Sequence, residues 1–156
     1  MRSIYKIVVC SLLTLSITSC EKDLLEKEQY QKEIYLIGAY NRVWTTEVSY
    51  SNEEVKTYFT VSSSGTLALD RDVNVKMKIN EELVDIYNKK YWTVLNEDKY
   101  YKSLDTDLYS IPSLENTVIK HAEGISAEVP VLIKTASLKI DQSYVIPVEI
   151  ESTTGY

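Results

Sequence analysis

Aromatic rings and carboxylates are the residues of this sequence with chemistry to offer. The chain carries 13 tyrosines and two tryptophans. A group of them, Tyr91, Trp92, Tyr100, Tyr101 and Tyr109, falls in one irregular stretch together with Asn96, Asp98, Asp105 and Asp107. Flat rings lie well against the apolar face of a sugar, and amide or carboxylate oxygens take its hydroxyls, so this stretch is the candidate ligand platform. The competing use of an aromatic is to fill the core or close its ends, and Trp44 and Phe59 are expected there. Asp105-Thr106-Asp107 and Asp70-Arg71-Asp72 each offer two oxygens to a cation, but neither has the glycine and distal glutamate of a calcium loop, and both read as solvated turns.

Catalytic patterns are absent. No nucleophile elbow, phosphate loop, H-E-x-x-H or dinucleotide fingerprint occurs. A glycosidase needs two carboxylates about 5 to 10 Å apart, and among 23 acidic residues some pair always meets that spacing by accident. His121 is the only histidine and lies on an expected strand beside Lys120 with no second imidazole or thiol near it, so neither a transition metal nor any other cofactor is implied. The formal charge of -6 argues against a nucleic-acid partner, because phosphate binding needs clustered cations.

The two cysteines, Cys10 and Cys20, both lie in the first 20 residues, so no disulfide can brace the body. Arg2 and Lys6 precede the 11-residue stretch IVVCSLLTLSI, which is too short to span a bilayer and has the charged and apolar regions of a secretory signal. The signal is assigned to residues 1 to 19. Ile17-Thr18-Ser19-Cys20 resembles the lipobox of bacterial lipoproteins, which implies cleavage before Cys20 and lipid on its thiol and new amino group. Two or more acyl chains hold a protein on a bilayer durably, so the expected partner is the membrane, reached through the anchor. Residues 20 to 32 are almost all charged or amide-bearing and read as a solvated tether. Glu21, Lys22 and Asp23 resemble the surface-export signals of Bacteroidetes lipoproteins, implying an outer-membrane protein exposed on the cell surface.

The elements that must position the rings are strands. From residue 33 to 152 short apolar segments alternate with polar breaks, followed by a tail at 153 to 156. EIYLIGAY (33 to 40) is a nearly continuous apolar run, suited to a strand covered on both faces. KTYFTVS (56 to 62) is rich in β-formers and ends in a turn cluster. DVNVKMKI alternates Val73, Val75, Met77 and Ile79 with Asn74, Lys76 and Lys78, a strand with one buried face. Asn80 can cap a short helix with Glu81 and Glu82 at its start, Leu83, Ile86 and Tyr87 on a shared face, and Lys89 and Lys90 at its end. Residues 91 to 116 read as a long surface connection. Three further strands are TVIKHA (117 to 122), AEVPVLIKT (127 to 135) with Val129, Val131 and Ile133 inward, and SYVIPVEIE (143 to 151) with Ile146, Val148 and Ile150 inward. Pro130 and Pro147 fall on the outward phase, which places those strands at an edge or a bulge. About six to seven strands with one helical crossover predict an all-β fold, an immunoglobulin-like Greek-key sandwich.

DVNVKMKINEELVDIYNKK, NTVIKHAEGISAEVPVLIK and LKIDQSYVIPVEIES occur in that order and resemble a known family, the β-sandwich domain of unknown function near the N-terminus of Bacteroidetes surface lipoproteins. That resemblance implies a non-catalytic module of a glycan-utilisation system, binding or presenting a glycan. A spacer that docks a partner surface protein, and an accessory remnant of a hydrolase, stay open beside it. The chain departs from the family pattern in an expanded segment beyond Tyr100, and it stops at Tyr156, where longer relatives continue into a second domain.

Overall fold

In a computed structural model, residues 27–38, 43–51, 53–92, 94–139 and 142–155 are described, and they form nine strand segments and one α-helix. Strands β1 (Ile34–Leu36), β2 (Glu54–Ser63), β7 (Ser126–Lys134) and β5 (Tyr109–Ser110) make one antiparallel sheet in the order β1-β2-β7-β5. Strands β6 (Thr117–Ile119), β3 (Val73–Ile79) and β9 (Val148–Thr154) make a second, in the order β6-β3-β9. A short parallel pair joins β4 (Lys102–Ser103) to β8 (Tyr144–Val145). The helix α1 (Glu82–Tyr91) lies in the crossover that leaves β3.

Alternation explains how the two sheets meet. In β3 the side chains of Val73, Val75 and Met77 are buried while Asn74, Lys76 and Lys78 are exposed. Val61 of β2 and Val129 of β7 face them from the first sheet, with Ile119 and Leu69 closing the layer. The result is an apolar cluster between the sheets, bordered by the buried Ser62, Ser63 and Thr117, and its burial is the driving term for a fold that has no disulfide in its body. Leu104, Val131 and Ile133 form a second buried cluster towards one end, and Phe59 packs against both.

Several elements differ from what the sequence suggests, each for a physical reason. EIYLIGAY was expected to be covered on both faces, but β1 is an edge strand of three residues with Tyr35 exposed, and residues 39 and 40 lie outside the described ones. Trp44 is 50% exposed rather than in the core, its ring lying against Gly38. SYVIPVEIE is not one strand. Pro147 is buried, not outward, and divides it into β8 and β9, its carbonyl accepting from Asn80 N at 2.9 Å. The stretch 91 to 116 is more than a surface connection, since it supplies β4, β5 and the buried Leu104. His121 sits in the turn after β6 rather than on a strand.

Pro130 obeys the rule that places prolines where no donor is needed. Lys134 N donates to Leu108 O on the β5 side of β7. Backbone groups alternate sides along a strand, so the ring nitrogen of Pro130 points to that same side, beyond the reach of β5, which pairs only with Leu132 and Ile133.

The last part of the expected tether is attached to the sandwich. The Glu28 carboxylate accepts from the backbone N–H groups of Thr66 and Leu67. Lys32 Nζ donates to Ala68 O at 3.0 Å, and Glu33 and Ser64 are joined through Glu33 N to Ser64 Oγ and Ser64 N to Glu33 O. Gly65, with φ +127, leaves the space these side chains occupy: a Cβ there would stand 2.8 Å from Lys32 Cγ.

Candidate ligand-binding site

The site is built at the end of β3 from which α1 departs. Asn80 fixes the start of the helix: its Oδ1 accepts from Glu82 N at 3.2 Å, and its Nδ2 donates to Glu149 Oε2 at 2.8 Å. Glu82 and Asp85 occupy the first turn and Lys89 and Lys90 the last, matching the helix dipole. Glu81 is further tied to Ser103 by a hydrogen bond from the Ser103 hydroxyl. The buried face differs from the expected one, because Ile86 is 55% exposed and Val84 and Asn88 are the buried residues.

Asn88 is the residue that assembles the site, and inspection of the sequence gives it no role. Its Nδ2 donates to Tyr101 O at 2.9 Å, and its Oδ1 accepts from Tyr101 N at 3.0 Å. The amide thus pairs with the main chain of the passing segment as a neighbouring strand would, satisfying four polar groups at once. Its spacing from Val84, one helical turn away, is the signal that puts both on the buried face.

That pairing brings three rings together. Tyr87 and Tyr91 have centroids 4.5 Å apart, and Tyr87 and Tyr101 5.5 Å apart in an edge-on arrangement. Such contacts add about 0.5 to 1.5 kcal/mol beyond area burial. Burial pushes the Tyr87 hydroxyl above its ordinary pKa, and the neighbouring Tyr101 and Tyr91 add to it. Tyr91 is about half exposed, and Lys90 Nζ lies 5.6 Å from its ring centroid. The other candidates are placed differently. Trp92 ends the helix in extended backbone, with its Nε1 buried and unpartnered and Lys99 Nζ 5.7 Å from its ring. Tyr100 is half-buried. Tyr109 packs into the second core cluster; burial, and then Glu81, raise the pKa of its hydroxyl. Tyr91 and Tyr101 are therefore joined through Tyr87, and Tyr109 lies apart from them in the core.

Of the carboxylate pairs considered for a cation, Asp70 and Asp72 are engaged elsewhere. Asp70 bonds Arg71 at 3.1 Å, and Asp72 Oδ1 lies 2.6 Å from His121 Nδ1. Hydrogen bonds from the His121 side chain and backbone hold the Asp72 carboxyl below the usual carboxylate range. Asp105 and Asp107 lie in an exposed turn whose carbonyls accept from Leu108 N and Lys134 Nζ. No cluster of three or more metal-ligating side chains occurs among the described residues, and no helix among them is long and apolar enough to cross a membrane. Cys20 lies outside the described residues.

Comparison with known proteins bears on the fold and on the family. A multidomain protein including DUF1735 from Bacteroides ovatus is similar at TM-score 0.57 and 16% identity, over 65% of this chain and 33% of that one. A Bacteroides ovatus protein of unknown function is similar at TM-score 0.59 and 12% identity, over 79% of this chain and 40% of that one. A candidate carbohydrate-binding protein from Bacteroides ovatus is similar at TM-score 0.50 and 24% identity, over 67% of this chain and 29% of that one. At these identities the likeness is one of fold, and the chain spans 29% to 40% of the length of these structures. No curated protein matches the sequence. The model of a family described as an N-terminal domain matches residues 30–156, the whole sandwich. The chain belongs to that N-terminal-domain family.

Proposed function

We propose that this protein is a non-catalytic glycan-binding or glycan-presenting module of a surface lipoprotein, held on the outer membrane by lipid at Cys20. The observation that carries the reading is the Tyr87–Tyr91–Tyr101 cluster, built on a rigid helix and leaving the Tyr91 ring about half open to solvent. A sugar ring stacks on such a surface, with Lys90 and the backbone around Tyr101 at its margin. Two further points support it: the candidate carbohydrate-binding protein among the structural neighbours, and the lipobox-like sequence before Cys20. The test is a glycan array probed with the protein and with Tyr91→Ala, Tyr101→Ala and Trp92→Ala. Loss of about tenfold in affinity at Tyr91→Ala, equal to about 1.4 kcal/mol, is expected; absence of binding to any glycan sinks the reading. For the anchor, Cys20→Ser should abolish incorporation of labelled fatty acid, and persistent labelling removes it.

A second reading rests on a different observation. Val94 is 76% exposed and Leu95 90%, and Ile86 on the helix is exposed as well. Apolar side chains projected this far suit a partner protein rather than a sugar. A spacer that docks such a partner would give no glycan signal, and a pulldown that is lost in Leu95→Asp.

A further inference from the structure

The attachment of residues 28 to 33 to the turn after β2 fixes where an anchor emerges. Glu28 binds Thr66 and Leu67 N–H groups, Gln29 N donates to Thr66 Oγ1 at 3.3 Å, Lys32 Nζ donates to Ala68 O, and Glu33 and Ser64 bond reciprocally. Only seven residues separate Cys20 from Glu28. Fully extended, that length of chain reaches at most about 30 Å.

The two ends of the sandwich are then not equivalent. Ser62 and Ser126 lie opposite one another at one end of the first sheet, where the next residue, Ser63, donates its N–H to Ile125 O. Val73 and Ile119 pair at the same end of the second sheet. Lys32, Leu69, Asp70, Arg71 and Gly155 share the walls of one shallow pocket there, so both sheets contribute to this pole. Ile79, at the far end of β3, leads into α1, and Asn80, Pro147, Glu81 and Ser103 bind one another at that opposite pole. The seven residues of β3 between the poles span about 20 Å.

We infer that the Glu28 attachment is an orienting latch: it turns the pole made by residues 28 to 33, 62 to 72 and 119 to 126 towards the bilayer and holds the Tyr87–Tyr91–Tyr101 pole outward. This rests on the reading of Cys20 as the lipid-bearing residue and adds to it a direction. With the latch closed the tether is short, and free rotation of the sandwich about it is restricted by hydrogen bonds between five residue pairs rather than by one swivel. With the latch open the tether lengthens to the start of β1 and either pole can approach the membrane.

The experiment uses the full chain, purified from membranes after growth with labelled fatty acid and reconstituted into vesicles carrying a short-range quencher on the lipid headgroup. A fluorophore is placed at Glu123→Cys, at the latch pole, or at Glu97→Cys, at the aromatic pole. Several-fold stronger quenching at 123 than at 97 is expected, and Glu28→Ala/Lys32→Ala should bring the two towards equality. Equal quenching with the latch intact, or a contrast that survives the double substitution, overturns the latch alone. Absence of fatty acid from the protein overturns the latch together with the anchor. The result of the glycan array alters neither outcome.

Discussion

Asn88 and Glu28 show how much a single polar side chain decides in this protein. Asn88 is 4% exposed and satisfies both main-chain groups of Tyr101. Asn88→Ala leaves a buried donor and acceptor without partners and is expected to destabilise the fold by about 2 to 3 kcal/mol, read by urea denaturation. The same substitution should uncouple Tyr101 from Tyr87 and so reduce ligand affinity even when fully folded. Glu28 acts by charge. The N–H groups of Thr66, and then of Leu67, hold its carboxyl below the usual range against a smaller opposing effect of desolvation. A carboxylate with a depressed folded pKa stabilises the state that binds it above its unfolded pKa of about 4.3, and that contribution disappears as pH falls through the folded value. The protection of the Thr66 and Leu67 amides, taken as intrinsic over observed exchange rate at each pH, should therefore fall on acidification below about pH 4.3, and Glu28→Gln should show reduced protection at neutral pH. Neither residue stands out in the sequence: EQYQKE belongs to a charged run that reads as solvent-facing, and the asparagine of IYNKK carries no pattern of its own, because hydrogen bonds to a distant main chain leave no periodic trace.

Strands were legible in proportion to how strictly they alternate. β3 has one buried and one solvated face, so DVNVKMKI gave its boundaries and its inward set, and Val129, Val131 and Ile133 of β7 followed the same logic. The correspondence weakened where chain neighbours rather than pattern decide the pairing. EIYLIGAY has the composition of a central strand but meets only β2, and SYVIPVEIE reads through Pro147 although its two halves belong to different sheets. The helix lies where the pattern places it, but its most buried face is turned by about a third of a turn: Val84 and Asn88 are buried, Leu83 and Tyr87 are half-buried, and Ile86 is exposed. Met77 tests the pattern directly. It is fully buried in the middle of β3, and Met77→Ala should cost about 2 to 5 kcal/mol, whereas Lys78→Ala, on the exposed phase, should change stability by under about 0.5 kcal/mol. Equal effects in thermal or chemical denaturation would contradict the assigned faces.

At the scale of the whole molecule, the pairings are almost all between distant parts of the sequence. β2 pairs with β7, and β3, formed near residue 75, pairs with β9, which ends at Thr154. A chain cut after residue 147 lacks the strand that completes the second sheet, and it should show no cooperative unfolding transition by circular dichroism. A folded, cooperative fragment would refute the placement of β9. The bulge between Lys76 and Met77, where the register to β9 shifts, has the ion pairs Lys76–Glu151 at 2.7 Å and Lys78–Glu149 at 3.6 Å on either side of it. These exposed pairs add little stability each, but charge and a bulge make β9 a poor template for another chain's edge.

The late position of β9 also sets a clock. Closing loops of this length costs entropy before any contact repays it, so sheets joined over long separations form slowly. Val73 to Val75 of β3 can meet β6 first, but the other edge of β3 stays open until Val148–Thr154 arrives. Completion of the second sheet is therefore the late step in folding, and until then β3 offers its unpaired backbone to any strand that reaches it first.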